Sequence, residues 1–161
     1  VDTLYNAGTE GRSVSFPRIS PDGRFLVFVL SDYGNFSIWH NDADLYLADL
    51  ASGGIRSMDG LNSDDVESYH SWSGNSRWMV FSSRRDDGLY TKPYICYIDE
   101  DGNAAKPFLL PQKDPVNCYD FLMFSYNIPE FVSDEVTLDG YEAASSARRD
   151  PSSDVKYEYT F

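Results

Sequence analysis

Two stretches of the chain place a short, continuous apolar run directly after a turn-forming tetrapeptide. The first run covers 25–30 and follows Ser-Pro-Asp-Gly at 20–23, and the second covers 78–81 and follows Ser-Gly-Asn-Ser at 73–76. Proline presets φ in such a turn, Asp or Asn bonds to the nearby backbone, and glycine accepts a positive φ. An apolar run bounded by turn signals predicts a strand that is buried on both faces.

The two stretches are copies of one repeat. Residues 16–31 align with 69–84 at an offset of 53 positions, and a second block, 46–49, aligns with 96–99 at an offset of 50. The matched positions of the first block are Ser20 and Ser73, Arg24 and Arg77, Phe25 and Trp78, Val27 and Val80, and Phe28 and Phe81. The three-residue difference falls in the intervening loop, where insertions are tolerated.

Each copy carries further strand and turn signals after its apolar run. The next strands are predicted at 44–50 and 94–98, glycine-containing turns at 51–54 and 99–102, and outer strands at 55–58 and 106–110. Each copy therefore predicts four short antiparallel strands in about 45–50 residues, the size of one propeller blade. The predicted fold class is all-β, with two four-stranded antiparallel sheets and one short helix near the C-terminal third.

The remaining segments flank or connect the two repeats. Asp114-Pro115 is a helix-start signal, so a short helix is predicted over 114–124. The polar stretch 144–153 is typical of a linker or disordered tail, and 155–161 alternates as a closing strand would. The predicted organisation is a leading edge strand or linker at 1–15, a blade at 16–60, an acidic inter-blade loop at 61–68, a blade at 69–110, a short helix and extended segment at 111–132, and a polar tail with a candidate closing strand at 133–161.

The repeat resembles that of TolB-like β-propellers. The resemblance rests on Ser-Pro-Asp-Gly-Arg at 20–24 before a buried strand, on Asp-Leu-Tyr-Leu-Ala-Asp-Leu at 44–50, and on the glycine turn that follows. The first copy, 16–58, matches closely, whereas the second, 69–110, replaces the Pro-Asp-Gly turn at 73–76. The resemblance implies a periplasmic or secreted propeller, commonly six-bladed, that acts as a binding platform in the bacterial cell envelope.

Two blades do not close a ring, because propellers typically have 4–8 blades. The chain is therefore expected to be a piece of a longer propeller. Assembly of several copies and packing of the remaining chain over the open face are the other options. The start at Val1 and the missing signal-peptide pattern indicate a fragment or a processed product.

Composition narrows the functional classes. The 26 Asp and Glu outnumber the 13 Lys and Arg, and a net charge of -13 argues against nucleic-acid binding. The two Cys and two His residues lack the spacing of a zinc site, so no metal and no cofactor are predicted, and whether Cys96 and Cys118 pair stays open. Apolar runs are too short to span a bilayer, so no transmembrane segment is predicted.

Candidate binding residues lie in three places. Tyr33, Phe36, Trp39 and His40 occupy the loop 32–43, where exposed rings suit a protein or sugar contact. Alternatively, these rings cover the edge of a blade. His70 is a candidate ligand contact or a hydrogen-bonded structural residue. Asp64 and Asp65, with Glu67, form a candidate cation or basic-partner site, or a solvated loop that lacks the pattern of a calcium loop.

The mixed-charge segment 84–87 is predicted to form local surface ion pairs.

Prolyl-oligopeptidase-type peptidases carry the same repeat beside a catalytic domain, but that domain needs Gly-x-Ser-x-Gly, and this chain contains no such motif. The sequence therefore favours a non-enzymatic propeller segment that binds a protein or glycan partner, together with further blades in the same or another chain. The alternative is the propeller portion of an enzyme, such as a peptidase or a propeller lyase or glycosidase, whose catalytic part lies outside this chain.

Overall fold

The computed structural model of the protein describes residues 3–121 and 123–149. The chain divides into two compact units, Val1–Phe131 and Val132–Phe161. The first unit holds all the described strands, and the described part of the second holds a single α-helix.

The first unit consists of two four-stranded antiparallel sheets, as the repeats predict. In both sheets the strand order follows the sequence order, so each sheet is an up-and-down meander. The strands are β1 Ser13–Ile19, β2 Phe25–Ser31, β3 Asp44–Asp49 and β4 Ile55–Ser57 in sheet 1, and β5 Glu67–Trp72, β6 Trp78–Ser83, β7 Lys92–Tyr97 and β8 Phe108–Leu109 in sheet 2. Over the described residues the two sheets do not close into a barrel or a propeller ring.

The two turns that precede the buried strands have the same geometry despite their different sequences. In each, the first serine, Ser20 or Ser73, accepts a hydrogen bond at Oγ from the backbone N–H five residues later, at 3.0 Å. The fourth turn residue has a positive φ in both, 74° at Gly23 and 59° at Ser76. Ser76 accepts a hydrogen bond from the N–H of Asp22 at 2.9 Å, so its side chain also joins the two sheets.

The first strand of each sheet contains the same irregularity. The pairing register shifts across 15–18 in β1 and across 68–71 in β5. The bulged residues are equivalent in the repeat, Phe16 with φ 51° and Tyr69 with φ 46°, and their rings contact each other at a centroid distance of 4.5 Å. The bulge is therefore a property of the repeat that bends both strands in the same way.

The main core lies between the two sheets. On sheet 1 it is built from alternating residues of β2 and β3, and on sheet 2 from alternating residues of β6 and β7. These buried residues are Phe25, Val27, Val29, Leu45 and Leu47 on sheet 1, and Met79, Phe81, Tyr94 and Cys96 on sheet 2. Because successive strand side chains point to opposite faces, each strand presents one of its two sets to this core.

The two sheets pack head to tail. At the repeat offset of 53, the core residues Met79 and Phe81 of sheet 2 correspond to Leu26 and Phe28 of sheet 1. Those two residues lie on the face of sheet 1 that points away from sheet 2, in a separate apolar cluster. In the interface between the sheets, sheet 1 therefore contributes one face of the repeat and sheet 2 contributes the opposite face. This is the arrangement of a heterologous contact.

The outward faces are partly covered by flanking segments. Tyr5 packs on Phe28 over sheet 1, with a ring-centroid distance of 5.5 Å. On sheet 2 the hydroxyl of Ser82 donates to the backbone carbonyls of Tyr126 and Asn127, at 2.7 and 3.0 Å. The segments before and after the repeats therefore shield part of these outward faces from water.

The flanking segments differ from the sequence prediction in three places. Strand β1 begins at Ser13, inside the predicted leading segment 1–15, and a short 3₁₀ turn, Ala7–Glu10, precedes it. The predicted helix over 114–124 is a five-residue π-helical turn, Val116–Asp120, and Asp114 accepts a hydrogen bond from the N–H of Asn117 at 3.2 Å.

The third difference lies in the predicted polar tail. Residues Gly140–Arg149 form helix α1, where the sequence predicts a linker, and none of its described residues is buried. The three Ala, the Glu and the two Arg residues of this segment have good helix propensity, which its Ser residues obscure. The candidate closing strand 155–161 lies outside the described residues. No described helix has both the length and the apolar character needed to cross a membrane.

Alanine substitutions at Gly53 and Gly102 test how tightly the two sheets pack against each other at the turn end. Both have a positive φ, 73° and 77°, but a Cβ at Gly53 would meet no atom within 4 Å, whereas at Gly102 it would lie 2.9 Å from Phe25. We expect Gly53→Ala to cost about 1 kcal/mol from backbone strain alone. Gly102→Ala should cost about 1–3 kcal/mol more from overpacking, measured by urea denaturation. Equal losses in the two variants would contradict tight packing at Gly102.

Candidate functional site

The long connections of both sheets emerge at one end. Ser13 pairs with Ser31 and Leu30 with Asp44, while Ser83 pairs with both Glu67 and Lys92. This end, called the loop end, carries the connections 32–43, 61–66 and 84–91. The opposite end, called the turn end, carries the short turns around 20–24, 49–54, 73–77 and 99–103.

Three aromatic rings project into solvent from the first connection. Tyr33, Phe36 and Trp39 are 70%, 69% and 73% exposed. Between them Ser37 and Ile38 are buried, and Ser37 Oγ lies 2.8 Å from Ser68 Oγ of sheet 2. The loop is therefore anchored by its middle while its rings face water. The rings are therefore exposed and do not cover the blade edge, and their role in binding stays a prediction.

His40 organises the loop from within. Its ring lies edge-to-face against Tyr33 at a centroid distance of 4.7 Å, and its Nε2 lies 3.2 Å from the carbonyl oxygen of Asn35. The next residue, Asn41, accepts a hydrogen bond from Arg84 of sheet 2 at 2.8 Å. The His40 ring thus supports the orientation of Tyr33, and the loop is tied to the neighbouring sheet between the rings, at Ser37, and after them, at Asn41.

The acidic connection contains one free and one engaged carboxylate. Asp64 is exposed, whereas Asp65 lies 3.2 Å from Arg84 and accepts a hydrogen bond from the N–H of Val66 at 2.7 Å. Arg84 therefore links the connections 32–43, 61–66 and 84–91 into one surface.

A buried ion pair lies beneath this surface. Glu67 is completely buried and accepts hydrogen bonds from Arg85 at 2.8 Å, from the Ser83 hydroxyl at 2.8 Å, and from the hydroxyl and N–H of Ser63 at 2.7 and 2.9 Å. Because its oxygens are all used by protein donors, Glu67 cannot belong to a cation site with Asp64 and Asp65. The predicted cation site is wrong for this residue.

The same contacts correct the interpretation of the segment 84–87. Arg84 and Arg85 have side chains that are 11% and 18% exposed, and they pair with Asp65 and Glu67 in another connection. Asp86 and Asp87 pair with the side chain of Lys92, which is 5% exposed. Burial acts to lower the pKa of Lys92, but the hydrogen bonds to the two carboxylates hold it above its usual value. The pairs of Arg84 and Arg85 are shielded from solvent and reach other elements, so for these two residues the prediction of local surface pairs is wrong. Asp86 and Asp87, whose side chains are 49% and 33% exposed, do form local pairs with Lys92.

The alignment of the two repeats offers a sequence signal for this ion pair. At the repeat offset, Glu67 corresponds to Val14 of the first copy. Because position 67 is buried, this acid needs a buried partner, since an unpaired buried carboxylate is costly. Arg85, whose guanidinium lies 4.8 Å from the centroid of the Tyr94 ring and 5.4 Å from that of Phe81, provides it.

Asp44 adds a titratable group to the loop end. Partial burial raises the pKa of Asp44 to about 6, and the negative charge of Glu67 adds to the effect. The carboxyl is therefore ionised at neutral pH and gains a proton in mildly acidic solution.

His70 lies away from the loop end, in the interface between the sheets. It is buried, and its Nε2 lies 2.9 Å from the carbonyl oxygen of Val27 in sheet 1. Burial lowers the pKa of His70 to about 4, so the ring is neutral at physiological pH. The arrangement fits the structural interpretation of His70 and separates it from Tyr33, Phe36, Trp39 and His40.

The described residues contain no group of three or more His, Cys, Asp or Glu side chains placed to hold a metal ion. Both thiols are free, and burial raises the pKa of Cys96 to about 12.

No protein-family model matches the chain, and no curated protein sequence is significantly similar to it. The loop end must therefore be interpreted from its own chemistry.

The buried and exposed ion pairs offer a matched test of the scaffold. Glu67→Gln removes the charge partner of a guanidinium in the core, so we expect a loss of about 3–5 kcal/mol of unfolding free energy. Glu100→Gln disrupts a pair with Arg77 at 3.6 Å in which Glu100 is 82% exposed, and it should cost under ~1 kcal/mol. Urea denaturation at neutral pH measures both, and similar small losses would show that Glu67 is not the support of the loop end.

His70 predicts a pH dependence with a defined sign. Its folded-state pKa of about 4 lies below the ordinary value of 6.5, so stability is full above pH 6.5 and is lost as pH falls toward 4. His70→Gln retains an Nε2 donor without titrating, and it should flatten this loss relative to the wild type. His70→Ala should lose about 2–4 kcal/mol at pH 7, because it opens a cavity and leaves the carbonyl oxygen of Val27 unpaired.

Thermal unfolding between pH 4 and 7 measures the His70 effect. Ile19→Ser, at an exposed position without a titratable side chain, is the control and should keep the wild-type pH profile. Asp44 acts in the opposite direction, because its raised pKa removes stability as pH increases through about 4 to 6. The difference between the wild type and His70→Gln isolates the histidine. An unchanged difference across this range would contradict a neutral buried His70.

Proposed function

We propose that this chain is a non-enzymatic β-propeller segment of the TolB-like type that binds a protein partner through its loop end, in the bacterial cell envelope. The observation that carries the proposal is the display of Tyr33, Phe36 and Trp39, each about 70% exposed, on a loop anchored to both sheets. Large aromatic side chains are enriched among the few residues that carry most of the binding energy in protein interfaces.

The packing of the sheets supports the propeller part of the proposal. A head-to-tail contact uses a different face of each partner, so it leaves one face of each sheet available for a further sheet of the same kind. On sheet 1 this face presents an apolar groove, lined by Leu4, Tyr5, Val14, Pro17, Leu26 and Phe28. Repetition of such a contact around an axis is how propeller blades form a ring.

The anchoring of the loop supports binding. Ser37 and Ile38 are buried, the N–H groups of Trp39 and His40 donate to carbonyls within the loop at 3.0 and 2.9 Å, and Asn41 is held by Arg84. A loop that is ordered before it meets a partner loses less conformational freedom on binding. The rings are thus presented at a small entropic cost.

A protein partner is favoured over a glycan by the state of the neighbouring polar groups. A sugar site needs polar side chains that converge on the ligand beside the ring. Around the three rings, the hydroxyl of Ser37 is bonded to Ser68 and the amide of Asn41 to Arg84. Because these groups are already engaged, the surface offers chiefly apolar and charge contacts.

The non-enzymatic part of the proposal is supported by the placement of the strongly shifted groups. Catalytic groups with shifted pKa values are usually accessible in a cleft. Here His70 and Cys96 are buried between the sheets, and Asp44, the strongly shifted group at the loop end, has no second strongly shifted group beside it among the described residues. The shifts of His70 and Cys96 follow from burial in the core, where a substrate has no access, and the single carboxyl of Asp44 does not form an acid–base pair.

The proposal is tested by selecting peptides from a random display library on the full chain and measuring their Kd by fluorescence anisotropy. Phe36→Ser with Trp39→Ser should weaken the selected peptides at least ~10-fold, since aromatic hot spots contribute about 2 kcal/mol or more each. Ile19→Ser with Leu50→Ser removes two exposed apolar side chains at the turn end and should change Kd less than ~2-fold.

Two outcomes would contradict the proposal. If both double variants weaken binding equally, the rings have no special role. If the library yields no peptide and a glycan array yields a ligand lost in the Phe36 and Trp39 variant, the partner is a glycan and not a protein.

A further inference from the structure

Charge is distributed unequally between the two ends of the sheets. The loop-end stretches 32–44, 61–67 and 84–92 contain eight carboxylates and three cationic side chains. The turn-end stretches 20–24, 49–56, 73–77 and 98–107 contain five carboxylates and four cationic side chains. The excess negative charge of these connections is therefore concentrated on the side of the exposed rings, and it gives that surface a negative potential.

The cations at the loop end are already neutralised within the protein. Arg84 pairs with Asp65, Arg85 with Glu67, and Lys92 with Asp86 and Asp87. Among the described residues, no Lys or Arg forms an ion pair with Asp42 or Asp64. These two carboxylates flank the ring-bearing loop and its neighbouring connection, and their charge is available to a partner.

We propose that the loop end binds a protein segment rich in arginine or lysine, whose cationic side chains lie over the exposed rings and pair with Asp42 and Asp64. The inference rests on the proposed function and specifies its partner. Guanidinium and ammonium groups are attracted to the faces of Trp, Tyr and Phe, and their aliphatic stems contact the rings as well. The same chain shows this preference internally, where Arg85 lies over Tyr94 at 4.8 Å.

Charge complementarity selects this occupant over others. A negative surface repels acidic segments and nucleic acid and accelerates the approach of cationic ones. A neutral apolar segment would contact the rings but would leave Asp42 and Asp64 beside a less hydrated interface without cationic partners, which is unfavourable. A basic segment satisfies both the rings and the carboxylates.

The test uses a fluorescein-labelled peptide of about twelve residues that alternates arginine and glycine, titrated with the full chain at low salt. Binding should be detected by anisotropy and should weaken several-fold between ~50 and ~200 mM NaCl, because screening shortens the range of the attraction. Asp42→Asn with Asp64→Asn should weaken binding about 3- to 10-fold. The amide oxygen introduced at position 42 can still accept the hydrogen bond from the N–H of Asp32, so the loop is expected to keep its shape.

The matched control removes the same charge at the turn end. Glu100→Gln with Asp101→Asn leaves the loop end intact and should change Kd less than ~2-fold, whereas Phe36→Ser with Trp39→Ser should abolish detectable binding. An equal effect of the two carboxylate variants would show only long-range attraction to an acidic protein, and it would overturn the assignment of the site.

The outcome separates this inference from the proposed function. If library peptides that depend on Phe36 and Trp39 are neutral or acidic, or if a glutamate-glycine peptide binds as well as the arginine-glycine one, the cationic partner is wrong and the binding platform stands. If no peptide depends on the rings, both fail. Binding of a single-stranded oligonucleotide with the same ring dependence would also overturn the cationic partner.

Discussion

A sheet whose central strand is apolar on both faces has to be covered twice, and this requirement shapes the whole first unit. In sheet 1 the odd positions of β2 pack on sheet 2 while Phe28 and Leu30 form a cluster on the other side. Burial of such side chains contributes roughly 1.5–3 kcal/mol each, so an uncovered face is a large loss. The head-to-tail contact covers one face of each sheet, and short flanking segments cover part of the others.

The cross-sheet hydrogen bonds are placed by the same packing. The bulge at Phe16 and Tyr69 bends β1 and β5 together, and the polar groups of β5 then reach backbone carbonyls of sheet 1. His70 reaches Val27 at 2.9 Å, and Trp72 donates to Arg18 at 3.3 Å. These bonds fix the relative position of the two sheets, which apolar contact alone leaves free to slide. That fixed position is what brings the three loop-end connections together.

The loop end is a rigid surface because it is supported from below. Glu67 and Arg85 lock the start of sheet 2, and Ser68 and Arg84 hold the ring-bearing loop of sheet 1. A buried ion pair of this kind adds little net stability over an apolar pair, but it is intolerant of misplacement. The Glu67–Arg85 pair therefore fixes the positions of the loop-end connections, and this keeps the rings and carboxylates ordered. Binding by this surface is a proposal that follows from that order.

The sequence was sufficient wherever the decisive interactions are local. The turns at 20–23 and 73–76 form through hydrogen bonds that span five residues or fewer, so their chemistry is legible without the fold. The second turn keeps the geometry without Pro at its second position or Gly at its fourth, because Ser73 and Asn75 supply the same side-chain acceptors as Ser20 and Asp22. The repeat offset then predicts both four-stranded sheets. The sequence predicts the start of the π-helical turn after Asp114 but not its length, since a start signal does not determine where a helix ends.

The sequence by itself determined the repeat, the all-β class, the strand order within each sheet and the residues of the ring-bearing loop. The tertiary structure decided which face of each sheet is buried, that Phe36 and Trp39 face water, and that Glu67 belongs to the core. The physical reason is range. Turn and strand preferences depend on neighbours along the chain, whereas burial and ion pairing depend on groups that meet only when two sheets pack.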